Sequence, residues 1–93
     1  MSTEASAAGG WSTYSCNISE EAKKAFAQAM KDFVGVAYTP VAVAQQLVAG
    51  MNYRFFCNAT PAVEYPFPFA AIVTVFQPLE GKAVLTGIHP IHM

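Results

Sequence analysis

Helical periodicity appears once in this chain, and everything after it alternates with the period of a strand. Ala22, Ala25, Phe26, Ala29, Met30 and Phe33 fall on one stripe at three- and four-residue spacing. Glu20, Lys24, Gln28, Lys31 and Asp32 cover the other side. Asn17 or Ser19 supplies a cap, Glu20 and Glu21 complement the positive end, and Gly35 gives the stop. A chain with one apolar helix stripe and several strands buries both by laying the helix across one face of the sheet. The expected class is therefore α+β: one α-helix packed on a curled antiparallel sheet of four to five strands.

The strands are expected as follows. Residues 11–16 alternate weakly and carry Thr13 and Tyr14, as a short edge strand does. Residues 41–48 and 52–59 read as two strands meeting at Ala49-Gly50-Met51. In the second, Tyr53, Phe55, Cys57 and Ala59 share one face, while Arg54, Phe56 and Asn58 share the other. Pro61, Pro66 and Pro68 mark residues 60–68 as a loop. "AAIVTVF" and "KAVLTGI" are two further strands, with turn chemistry from Pro78 and Gly81 between them. Residues 1–8 read as a flexible leader and residues 9–93 as one domain.

Charge narrows the function. Five basic residues and a formal net charge of −1 provide no basic face for counterion release, so nucleic acid is not an expected partner. Charged residues are only 12% of the chain, about half the usual share, and hydrophobic ones are 54%, which implies a folded chain with a sticky surface. Residues 33–53 carry no charge, yet Gly35, Pro40, Gln45, Gln46 and Gly50 interrupt them. Strands are expected there rather than a membrane span. The first eight residues lack the basic start and apolar centre of a signal peptide, which fits either a cytoplasmic protein or a secreted domain whose leader has been removed.

Catalytic chemistry is not expected. His89 and His92 flank a proline with no third ligand near in sequence, and Cys16 and Cys57 have no metal spacing, so neither a metal nor a cofactor is expected. The two cysteines read as small buried thiols, with a disulfide as the alternative in an oxidising compartment. No orienting group accompanies a Cys–His pair. Glu4, Glu20, Glu21, Asp32, Glu64 and Glu80 all fall in the leader, on the polar helix side or in loops, none where desolvation would make it a general base. Two N-x-[ST] patterns occur, at Asn17 and Asn58; the first is better explained as a helix cap.

One stretch remains unexplained by folding alone. "QLVAG" places apolar residues at a hairpin tip, where nothing of the chain covers them. Gln46 to Gly50 resembles the Gln-x-Val-x-Gly signature of the cystatins, inhibitors of papain-like cysteine proteases. Met51, Asn52 and Tyr53 continue it as in stefin-type members. Gly9-Gly10 stands upstream of the helix where cystatins carry an N-terminal glycine, and Val75 to Gly87, "VFQPLEGKAVLTG", resembles the second-hairpin segment of stefins. The likeness covers most of residues 9–89.

That resemblance implies a wedge with three parts: Gly9 and Gly10 as the trunk, Gln46, Leu47, Val48, Ala49 and Gly50 as the central tip, and Pro78 with Leu79 as the second tip. It implies reversible competitive inhibition of a papain-like cysteine protease, with no catalytic residue. Secreted cystatins carry Pro-Trp in the second hairpin, where Leu79 here follows Pro78. Set beside this reading is a non-inhibitory module that uses the same apolar tip for binding or self-association. A charged residue at Gly50 or Leu79 is expected to remove protease affinity while leaving thermal stability almost unchanged. Opening the hairpin at Ala49-Gly50 would exchange halves between chains, so a domain-swapped homodimer, inactive because its wedge is hidden, is a further expectation.

Overall fold

The computed structural model describes residues 10–91; the leader 1–8, Gly9 and His92 lie outside them. One helix, α1 (Glu20–Ala29), precedes four strands, β1 (Val36–Val48), β2 (Gly50–Pro61), β3 (Phe69–Gln77) and β4 (Val84–Ile91). The strands form one antiparallel sheet in the order β1-β2-β3-β4, an α+β arrangement with every neighbour joined by a sequence-adjacent connection. No helix of the described residues is long and apolar enough to cross a membrane.

Helix α1 starts where its cap chemistry puts it. Ser19 is extended (φ −66°, ψ 163°), and its hydroxyl accepts from the Ala22 N–H at 3.1 Å. Asn17 is not the cap; its own N–H donates to Ser15 Oγ at 3.0 Å. The helix also ends four residues short of the expected Phe33. Met30 donates to the Phe26 carbonyl at 3.0 Å, and then Phe33 donates to Met30 at 3.0 Å in a three-residue step. Such a step advances about 120° per residue instead of about 100°, which carries Phe33 off the stripe. Phe33 is exposed, and its ring meets Tyr38 edge-on at 5.7 Å.

The core lies between that stripe and one face of the sheet. Ala22 and Ala25 are buried against it, and their small side chains let the helix approach closely. Tyr53, Phe55, Cys57 and Ala59 share the covered face of β2, with Ala71, Val73 and Val75 on β3. Phe26 and Phe55 meet edge-to-face at 4.9 Å between ring centres, a geometry that suits their opposed quadrupoles.

Strand boundaries depart from expectation at the prolines. β1 begins at Val36, not Val41, and runs through Pro40, where the register shifts between Pro40 and Ala42. A proline is tolerated there because β1 is an outer strand and the bulge relaxes the ladder. β2 continues to Pro61, whose partner is Val36, so the loop begins only at Ala62. β4 likewise extends past His89 and Pro90 on the other outer strand. Residues 11–16, expected as a strand, pair with β1 among the described residues as isolated bridges, Trp11–Gln46 and Ser15–Val43, rather than as a ladder. The sheet therefore has four strands.

The cysteines differ from each other. Cys57 is buried, while Cys16 is exposed rather than buried, and both are free thiols. Burial pushes the Cys57 thiol up to about 12, because a thiolate would lose its hydration there.

Candidate functional site

The described parts of the three separated motifs, Gly10, Gln46 to Gly50 and Pro78-Leu79, lie at one end of the sheet. The β1–β2 hairpin is as tight as its ladder permits: Val48 pairs with Gly50, leaving Ala49 alone outside it. Leu47, Val48 and Ala49 are all exposed, Leu47 by 53%. No charged residue lies between Val36 and Tyr53, so this tip has no ion to strip of water when covered.

Gly50 makes the tip possible and joins it to its neighbour. Its φ of +117° is a conformation that L side chains avoid. A β-carbon there would stand 2.5 Å from the Gln77 carbonyl oxygen and 3.0 Å from the Phe76 ring. Gly50 is buried. The expectation that a charged residue at Gly50 leaves stability untouched is therefore overturned: the site has neither the backbone angle nor the space for a side chain.

The second tip follows directly from that contact. Met51 pairs with Gln77, so the chain leaving β3 at Pro78 emerges beside Gly50. Two glutamines hold this connection. Gln77 Nε2 donates to the carbonyls of Pro78 at 3.1 Å and Gly81 at 3.0 Å, closing the turn from inside. Gln28 Oε1 accepts from the Ala83 N–H at 3.1 Å, tying the return strand to the helix. Leu79, free of the clamp, is 79% exposed at the apex. Glu21, Lys24 and Gln28 of α1 face Tyr53, Gln77 and Gly81 across a shallow cleft behind the turn. Burial raises the Tyr53 phenol above its ordinary pKa, and the negative charge of Glu21 adds to the shift.

The N-terminal segment arrives at the same end from the other side. Ser12 donates to the Gln45 carbonyl at 2.8 Å, and Gln45 donates back to Ser12 Oγ at 2.9 Å. With Trp11 bridged to Gln46, Gly10 leaves the outer edge of β1 level with Leu47. Gln46 itself is half-buried within the sheet, where its Oε1 accepts from Asn52 Nδ2 at 2.9 Å. It braces the hairpin and is not part of the exposed tip.

Of the nine residues expected in a binding edge, Gly9 lies outside the described residues. Gly10, Leu47, Val48, Ala49, Pro78 and Leu79 are brought together at the surface, and Gln46 and Gly50 support them from within. Reasoning from sequence missed Gln28, Gln77 and Trp11. Gln28 was assigned to the solvent side by helical period, and nothing in a linear pattern marks a side chain that bonds to a backbone amide 55 residues away.

A second apolar region lies at the far end of the sheet. Ala62 donates to Gly35 at 2.9 Å, which sets Val34 and Val63 on neighbouring connections, and Tyr65 and Phe67 stand out from the loop after β2. No group of three or more His, Cys, Asp or Glu able to hold a metal occurs among the described residues.

Set against protein-family models, curated proteins and solved structures, the chain has no match in any of the three.

Proposed function

We propose that this protein is a reversible, competitive inhibitor of papain-like cysteine proteases, built on a cystatin-like fold. The protease class is what the resemblance of Gln46 to Gly50 to the cystatin signature implies, and the observation that supports it is the placement of Gly10, Leu47 to Ala49 and Pro78-Leu79 along one end of the sheet. Together they make a thin edge suited to a groove. The hydrophobic effect supplies the drive: fully burying a Val or Leu side chain contributes about 1.5–3 kcal/mol. Both tips are fixed before binding, one by the ladder and one by two glutamines, so little conformational entropy is lost on docking. An edge of this kind fills a protease cleft without presenting a peptide bond for attack, and no catalytic residue is assigned.

The test is a titration of papain and one cathepsin-type protease with isolated monomer, reading residual peptidase activity. Leu79→Glu replaces the most exposed apolar side chain of the edge. It is expected to weaken inhibition about 30-fold or more, from about 2 kcal/mol of lost burial plus the cost of desolvating a carboxylate. Its melting temperature should stay within a few degrees, because Leu79 is 79% exposed in the free chain. A folded monomer that leaves both proteases active at micromolar concentration removes the proposal. An oligomer of the parent chain that dissociates on Leu79→Glu replacement would instead favour the self-association module.

A further inference from the structure

The trunk has a fastening of its own that the tips do not share. Trp11 is bridged to Gln46 outside the edge of β1, yet its ring lies 3.9 Å from the Arg54 guanidinium carbon, on β2. The indole therefore spans β1 on the face of the sheet away from the helix, since Arg54 sits between the core residues Tyr53 and Phe55. Ala44, the β1 residue paired with Arg54, is only 1% exposed although the helix does not cover that face. A methyl side chain at that position leaves room for a flat ring, and the cation above an indole face is held by the ring quadrupole.

We propose that Trp11 and Arg54 form a clasp that positions the trunk. It fixes the direction in which Gly10 leaves the sheet and so keeps the first part of the edge in line with the two tips. This inference rests on the inhibitor reading for its effect on binding, but the clasp itself is testable without a protease. Beyond Trp11 the segment is hydrogen-bonded to β1 at Ser12, through backbone and hydroxyl, and at Ser15, with an arch between them. Release of the ring would leave Gly10 held only through the isolated backbone bridge at Trp11–Gln46 and the bonds of Ser12.

The experiment uses the full chain and four variants: Trp11→Ala, Trp11→Phe, Arg54→Gln and the Trp11→Ala/Arg54→Gln double. Amide hydrogen exchange at Ser12, whose N–H is bonded to the Gln45 carbonyl, is expected to speed up about tenfold in Trp11→Ala and in Arg54→Gln, and to be largely restored in Trp11→Phe. Because Trp11 is the chain's single tryptophan, its emission should also shift in Arg54→Gln. Unchanged exchange in both single variants overturns the clasp, whatever the protease results.

With papain, Trp11→Ala and Arg54→Gln should each weaken inhibition about tenfold, mainly through faster dissociation, and the double variant should be no weaker than the worse single. Arg54 lies four residues into β2 from the tip, and its contact with the trunk among the described residues is the Trp11 ring. Full inhibition by Arg54→Gln therefore overturns positioning, as does simple additivity in the double. Failure of the parent to inhibit would count against the proposed function and leave the exchange data to judge the clasp.

Discussion

Replacing Gly50 by alanine probes the contact that sets the two tips side by side, and Gly35 provides its control. Both glycines have positive φ, +117° and +100°. Forcing an L-residue into such a conformation costs about 1–3 kcal/mol. At Gly35 nothing lies within 4 Å of an added β-carbon, so strain is the whole cost. At Gly50 the β-carbon also meets the Gln77 carbonyl at 2.5 Å. That oxygen belongs to ladder backbone and cannot swing aside as a flexible side chain does. Relieving the overlap means moving the end of β3 and giving up about one hydrogen bond, about 1 kcal/mol.

Gly50→Ala is therefore expected to cost about 2–4 kcal/mol, and Gly35→Ala about 1 kcal/mol less. In a 93-residue chain that loss corresponds to a fall of about 10–25 °C in melting temperature. The assay is urea unfolding followed by far-ultraviolet circular dichroism, with slopes compared to confirm that the unfolded states match. If the two variants unfold within about 0.3 kcal/mol of each other, the overlap is relieved without cost. The tips would then not be rigidly coupled through Gly50.

Phe55→Ala, which empties the centre of the core at a fully buried position, should cost about 3–5 kcal/mol by the same unfolding assay. Under native conditions a chromogenic disulfide reagent at pH 8 should titrate one thiol promptly, the exposed Cys16, with Cys57 reacting only on unfolding. The Cys57 thiol is raised from 9.0 to about 12, so the folded state holds its proton longer than the unfolded one. Its contribution is fully present below pH 9.0 and is lost as pH rises toward about 12, with the raised Tyr53 acting in the same direction. The urea midpoint should thus fall between pH 8 and 10.5; a flat or rising midpoint would contradict this. A domain-swapped dimer, if isolated, should not inhibit papain, and an equally inhibitory dimer would defeat that expectation.

Legibility in the sequence followed the range of the forces involved. The alternation of Tyr53, Phe55, Cys57 and Ala59 reports which face of β2 is covered, and the structure buries all four. A period of two is a local property, and in β2 the tertiary context leaves it intact, whereas in β1 both Val43 and Ala44 are buried. Strand ends were harder, because Pro40, Pro61 and Pro90 all read as interruptions. Each sits inside an outer strand or at the end of an inner one, where a missing N–H costs little. Whether a strand is outer or inner is decided by the whole sheet, not by its own residues. The helix end failed for a related reason: Phe33 keeps the period, but the three-residue turn at Met30 breaks the phase.

The motif at Gln46 to Gly50 was visible in sequence, but its division of labour was not. Three exposed apolar residues form the surface, while Gln46 and Gly50 answer to the sheet: one bonds Asn52, and the other makes room for the Gln77 carbonyl. The same division recurs at the second tip, where Leu79 is exposed and Gln77 and Gln28 hold the turn. It recurs again at the trunk, where Gly10 is exposed and Trp11 and Arg54 hold the segment. In the proposed complex, small or apolar residues would meet the protease, and the polar or aromatic residues behind them hold the edge in place beforehand. On that reading, an edge with so few charges would gain its specificity from shape. Shape discriminates only when it is rigid, so the polar residues behind the edge matter to selectivity as much as the apolar residues on it.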